Sequence, residues 1–428
     1  MKRAITIFFV FALVLSNSIA ETTTVEVANG KSYSNWVWYN LEDDATTSAA
    51  LNAWDLSILT KGTNATIRIN SGAGCRLWEV VGKTVDDFGN VIDTTGLNTD
   101  QTKFVEWLDS DESWVVGAFN MGKNGFEDNG DFGWGEYNMS THAISGKKLF
   151  IFKDLAGNYY QMRIEDLIGG ILYFSYADLN GNNSKTVEFN KKNYSTKSFA
   201  YYSLATTPGE KLDLEPSAWS LLFGKYMAMV DNGQGGKTPY NVNGILINYE
   251  WSAVKVAGQD PSTVTTPTND SFTSNISTIG HLWKHLNQDF QWEIPSDLCY
   301  FVMSPDGLIW KIVFTGFEGA STGKVIFEKT PVEPNSVKDN NGNITGNFAI
   351  TPNIVAPNEA MNITYSTSSN NSQPKIEIFN LNSQKQYEMN LPASNFNALQ
   401  INPKLSSGIY FVVFSINGNK EVQKLIVQ

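Results

Sequence analysis

Three histidines are the chain's whole supply of imidazole: His142, His281 and His285. His281 and His285 lie four apart in HLWKH, a spacing that on a helix sets both rings on one face, as zinc sites require. The glutamate of the H-E-x-x-H pattern is absent, and a strand or loop would part the rings. The expectation is therefore surface or loop histidines. Acidic, glycine-bearing stretches stand at FEDNGDFG (126–133), ADLNGNN (177–183) and VKDNNGN (337–343). None completes the twelve-residue loop that wraps Ca²⁺, and Asp-Asn-Gly strings are above all turn formers. Cys75 and Cys299 are too few for a disulfide scaffold. They could form one bridge, but Cys299 lies in the apolar run LCYFV, where a buried free thiol is the commoner outcome. No G-x-S-x-G, C-x-x-C or phosphate loop is present. With no nucleophile–base pair, carboxylate pair or metal cluster in view, the reading is a binding protein rather than an enzyme.

The elements that must position any such site are strands. Aromatic residues make up 13% of the 428, and charged ones only 17%, which favours sheets over long solvated helices. The net charge of −12, without a basic patch, argues against nucleic acid and anionic membranes as partners. At the N-terminus Lys2 and Arg3 precede the apolar run AITIFFVFALVL (4–15), and Ser18-Ile19-Ala20 supplies small residues. Residues 1–20 thus read as a secretory signal peptide. The run is too short for a comfortable membrane span, and no later segment is apolar enough to be a transmembrane segment.

The chain repeats itself. ISGKKLFIFKDLAG (144–157) aligns without a gap on IPSDLCYFVMSPDG (294–307), and the match continues through YYQMRIEDL (159–167) and IWKIVFTGF (309–317). Each copy is an apolar run, a Gly-containing turn and an alternating run, the pattern of a β-hairpin. Three more blocks recur in order: NWVWYNLED with SFAYYSLAT, AWDLSIL with AWSLLFG, and ILYFSY with KVIFEK. Two tandem related modules follow, at 21–192 and 193–330, with a Pro- and Asn-rich linker at 331–346. Residues 347–428 alternate as short strands with an Asn-Gly turn at 417–418. The fold class is mainly β: two tandem related antiparallel β modules plus a small C-terminal β-sandwich. Only WSLLFGKYMAMV (219–230) leaves helix and strand both open.

In their aromatic strand, AWDLSIL block, LFIFKDLAGNYYQMRIEDL hairpin and closing ILYFSY, the paired modules resemble the HmuY-like family of haem-binding surface proteins of Bacteroidetes-type bacteria. The last unit, with TPNIVAPNEAMNI, SSGIYFVVF and the terminal KLIVQ, resembles the sorting domain of type IX secretion. The resemblance implies a haem-scavenging protein at the cell surface or outside the cell. Its partners would be haem or haemoproteins and, through the C-terminal unit, the type IX secretion machinery. Haem needs a wide apolar slot and axial donors. By the family's pattern, an axial ligand follows a Trp-x-Glu-aromatic run, here WGEYNM, which places Met139 at the ligand position with His142 as its competitor. A second ligand is expected about thirty residues upstream, where FVEWLDSDES holds no His or Met. Met121 is the nearest thioether. His285 is the counterpart candidate in the second module. Tyr137, Trp134, Phe126 and Phe132 could line the slot or serve as ordinary sheet aromatics. The alternative is a non-haem binding module or adhesin for a glycan or host protein.

Overall fold

The computed structural model describes residues 22–427 apart from 63, 205–209, 265–271, 333–335, 339–343, 352, 368–372, 381–383, 395–396 and 418. The expected signal peptide and most of the 337–343 acidic stretch lie outside the described residues. Those described form strands and short 3₁₀ turns, without an α-helix among them. Of the segment left open between helix and strand, 219–230, residues 221–230 are strand.

The first copy of the repeat opens with β1 (Thr23–Ala28), β2 (Asn35–Tyr39) and β3 (Thr46–Ala50). It continues through β4 (Leu56–Leu59), β5 (Ile67–Ile69), β6 (Arg76–Val80), β7 (Phe104–Trp107), β8 (Gly135–Asn138), β9 (Ala143–Gly146), β10 (Phe150–Lys153), β11 (Tyr159–Ile168) and β12 (Ile171–Asp178). The second copy runs through β13 (Lys185–Asn190), β14 (Phe199–Ser203), β15 (Glu210–Leu212), β16 (Leu221–Asp231), β17 (Lys237–Ile247) and β18 (Ser252–Ala257). Its last strands are β19 (His285–Leu286), β20 (Trp292–Glu293), β21 (Leu298–Met303), β22 (Ile309–Phe317) and β23 (Lys324–Val332).

The packed bodies do not follow the two sequence copies. Each sheet is completed by strands from the other copy. The orders are β13-β12-β11-β10-β6-β7 and β15-β14-β4-β5 in body one, against β1-β23-β22-β21-β18 and β3-β2-β16-β17 in body two. The registers match position for position. Tyr39 pairs Leu221 and Trp38 pairs Leu222 in body two, as Tyr202 pairs Leu56 and Tyr201 pairs Ser57 in body one. Val25 faces Phe327 as Val187 faces Phe174. Even the register shift recurs, at Ile164/Asp166 and at Phe314/Gly316. Body one is therefore built in chain order from β4 to β15, whereas body two needs residues 22–50 brought from the start of the chain. The sequence boundary near 192 splits β14 and β15 from the sheet they complete.

Alternation explains which faces meet. In β23, Val325 and Phe327 point inward and their neighbours are partly solvated, the period of two that a half-buried strand requires. β2 differs: Trp36 and Trp38 face one cluster while Val37 and Tyr39 face another, so this strand is buried on both sides. The first of these clusters is a seam between the bodies, with Trp54, Trp114, Phe199, Tyr201 and Trp219. At the seam Gly72 lies so close to Lys225 that a Cβ there would stand 2.0 Å from the Lys225 carbonyl oxygen. Only glycine permits that backbone approach.

Beyond Val332 the chain continues as β24 (Ser336–Lys338), β25 (Ile344–Thr351), β26 (Ile354–Val355), β27 (Met361–Thr367), β28 (Lys375–Asn380), β29 (Lys385–Asn390), β30 (Asn397–Ile401), β31 (Gly408–Ile416) and β32 (Asn419–Val427). Two sheets, β24-β25-β27-β30 and β26-β32-β31-β28-β29, enclose a core that includes Phe348, Ile363, Ile378 and Phe414. Part of the expected linker is thus strand, because β24 pairs β25. Cys75 and Cys299 are buried free thiols.

Candidate functional site

Asn138 builds the turn that carries the first candidates. Its side-chain oxygen accepts from the backbone N–H of Ser140 at 2.8 Å and of Thr141 at 3.3 Å. Its carbonyl accepts from His142 N–H at 2.9 Å. The chain closes the β8–β9 hairpin by taking a left-handed conformation at His142, φ +55°, a strained region for a residue with a side chain. That turn folds the imidazole back over the strand, and Tyr137 Oη meets His142 Nδ1 at 2.8 Å. Phe126 packs edge-on against Tyr137 at 5.1 Å.

The pair opens on a cleft of about 460 Å³ whose walls include Phe126, Ile144, Leu167, Gly170, Lys191 and Lys192. Gly169 and Gly170, both at positive φ, make the two-residue turn joining β11 to β12, which needs φ > 0 at both positions. Lys191 and Lys192 follow β13, so the exchanged strand supplies the cleft's cations. Lys191 is buried, donates from Nζ to the Asn64 carbonyl, and its ammonium is pushed down to about 8 by burial. No carboxylate lines the cleft among the described residues, although the chain carries a net charge of −12. The site therefore combines apolar walls, two ammonium groups and a phenol whose oxygen is hydrogen-bonded to an imidazole.

The other expected residues lie elsewhere. Met139 stands 84% exposed at the hairpin tip and does not line the cleft. Trp134 is fully buried and donates from its indole nitrogen to the Ala65 carbonyl at 2.9 Å, so it and Phe132 belong to the core of body one. Met121 is surface-lying at 38% exposure and also outside the lining. His285 sits on the β19–β20 hairpin of body two, 3.7 Å from Glu293, and a strand, not a helix, carries it. In body two the place equivalent to the cleft is filled: Trp283, Trp292 and Phe317 close around Lys284, with Trp283 and Phe317 at 5.4 Å. Phe317 occupies the repeat position of Leu167. Sequence reasoning missed Lys191 and Lys192. The available signal was TVEV (24–27) against TVEF (186–189), which starts the second copy before Lys191 and not after it. The acidic turn at 126–133 uses its carboxylates on the backbone, with Asp131 accepting from Gly133 N–H at 2.8 Å. Among the described residues no three His, Cys, Asp or Glu side chains converge as a metal site.

A second, smaller cavity of about 40 Å³ lies on the seam. Its walls are repeat-related pairs: Trp36 with Phe199, Trp38 with Tyr201, Trp54 with Trp219. The indole N–H groups of Trp36, Trp38 and Trp54 and the hydroxyl of Tyr226 are buried without a hydrogen-bond partner among the described residues. The volume suits two or three water molecules. Glu215 sits against this cavity and accepts from the N–H of Ser198 at 2.6 Å and of Phe199 at 3.2 Å. Burial nevertheless raises its carboxyl to about 7. The folded protein thus holds this proton between pH 4.5 and 7 where the unfolded chain has released it. Stability falls as pH rises through that window, by about 3 kcal/mol from this group. Urea unfolding at pH 4.5 and 7 will show that fall in the wild type, and a smaller one in Glu215→Gln.

Residues 355–428 match the family described as a secretion system C-terminal sorting domain. The chain therefore carries a type IX sorting domain and is exported to the cell surface or the extracellular space. No helix among the described residues is long and apolar enough to cross a membrane. No curated protein matches the chain. Among solved structures, a polysaccharide lyase is similar over 69% of this chain at 10% identity and a TM-score of 0.17, and this chain spans 46% of that one. The BSP domain of a biofilm-associated protein is similar over 96% of this chain and 81% of its own, at 8% identity and a TM-score of 0.18. An Escherichia coli alpha-2-macroglobulin is similar over 96% of this chain and 42% of its own, at 10% identity and a TM-score of 0.16.

Proposed function

We propose that the exported chain is a binding protein, without catalysis, that takes up haem or a related tetrapyrrole in the cleft of body one. One observation carries this reading: an apolar-walled cleft free of carboxylates holds both the Tyr137–His142 pair and two lysines. The volume, about 460 Å³, falls within the usual range for small-molecule sites. Porphyrins are flat and apolar with acidic edge groups, which matches apolar walls beside Lys191 and Lys192. Haem iron supplies a Lewis acid, and tyrosine is one of its protein ligands. Tyr137 would be the residue that holds the iron through its oxygen. His142 Nδ1, 2.8 Å from that oxygen, would hold it in place. This assignment replaces the thioether of Met139, which is solvent-exposed.

Removing one ammonium tests the polar half of the site. Lys192→Gln is expected to weaken binding of metal-free protoporphyrin about tenfold, the worth of a charge-assisted hydrogen bond. Its dimethyl ester should bind the two proteins alike, since it has no carboxylates. Equal affinity for the free acid in both proteins would remove Lys192 from the site.

A second reading, a glycan- or host-protein-binding adhesin, draws on the β19–β20 hairpin, where Leu286, Phe290 and Trp292 are exposed. Exposed apolar groups clustered on one hairpin mark interaction surfaces. A glycan array without hits removes its sugar version.

A further inference from the structure

We infer that residues 22–50 are a strand-donating arm, and that the groove receiving it along β16 and β23 accepts the same segment from a second copy of this chain. The groove is an interaction surface of defined specificity. Val25, Val27, Val37 and Tyr39 enter one buried cluster of body two, and Tyr39 meets Phe223 at 6.4 Å and Phe327 at 5.7 Å, both edge-on. Polar contacts fix the register. The Leu41 N–H donates to Ser220 Oγ at 3.0 Å, Lys329 Nζ donates to the Leu41 carbonyl at 2.7 Å, and Asn29 donates to Asn243 at 2.7 Å. β1 alone contributes six paired residues to the sheet. An occupant must therefore carry this alternation of apolar residues with Asn29 and Leu41 in place, which the chain's own arm does.

Three features make a second copy the partner. The arm's ladders all run to body two, while its covalent continuation enters body one at Leu56. The joint is short: Asn70 Nδ2 holds the Leu51 and Trp54 carbonyls at 2.7 and 2.9 Å. Finally, the two grooves receive their arms in the same register, and the groove of body two is filled across a gap of about three hundred residues, so taking an arm that is not its neighbour in the chain is its ordinary state. Exchange between chains makes the same contacts and needs only that the joint open, the low-cost route to domain-swapped dimers. Tethering gives the chain's own arm an effective concentration in the millimolar range, so the monomer prevails in dilute solution.

The test uses residues 22–428 with a protease site inserted between Asn52 and Ala53. After cleavage, native mass spectrometry should find the arm still bound. Unfolding and refolding with an excess of isotope-labelled 22–52 peptide should replace it in proportion to peptide concentration. Uncut wild-type chain, refolded at high concentration as a mixture of labelled and unlabelled protein, should yield mixed dimers absent from dilute refolding. This second arm holds even if the insertion prevents folding. Loss of the cut arm from an otherwise folded protein, failure of the labelled peptide to enter, or monomers alone at every refolding concentration would overturn the inference.

Discussion

Trp38→Ala lowers the unfolding free energy by about 3–5 kcal/mol, the usual cost of deleting a buried aromatic. Trp38 is 1% exposed and stands on the arm strand that is buried on both faces. Its ring meets Tyr201 edge-on at 6.2 Å, and Tyr201 is its repeat counterpart on the other exchanged strand. The substitution therefore opens the seam from both sides and weakens the docking of the arm on β16. Guanidinium unfolding of residues 22–428 reads the effect as a lower midpoint. A change in slope would show that the bodies have ceased to unfold together. A loss below about 1 kcal/mol, the average for any point substitution, would mean that the seam is not a cooperative core.

The second large effect concerns the ligand. Tyr137→Phe keeps the ring against Phe126 and removes only the oxygen that meets His142. Affinity for ferric haem should fall at least tenfold, the loss of one strong polar interaction of about 1.4 kcal/mol or more. Metal-free protoporphyrin should bind wild type and variant alike, because it has no iron to coordinate. Met139→Ala should leave ferric haem binding unchanged. Equal loss of both porphyrins in Tyr137→Phe would assign the tyrosine to packing alone.

Strands, hairpins and the internal repeat were legible in the chain because a period of two and a repeated block order are local properties. The Gly-containing hairpins at 150–168 and 298–317 appear where alternation puts them. The exchange of arms was not legible: pairing partners three hundred residues apart, such as Val25 and Phe327, leave no local trace. Aligning NWVWY on SFAYY identified related strands but could not say which copy each completes. Around the cleft, Tyr137, His142 and Phe126 were named from the sequence because they are close in it. Lys191 and Lys192 were not, since they reach the cleft only through the pairing of β13 with β12. Trp134 and Met139, also named from that stretch, lie away from the cleft. The same short run WGEYNM sends one side chain into the core and the other into solvent, a matter of turn geometry that residue type does not reveal.

The most direct test is a haemin titration of residues 22–428, followed by absorbance in the ferric state and again after dithionite. Tyrosinate is a hard oxygen donor, so the account predicts a saturable Soret shift at one equivalent that weakens on reduction and is lost in Tyr137→Phe. No saturable shift, or one that strengthens on reduction and persists in Tyr137→Phe, would contradict it.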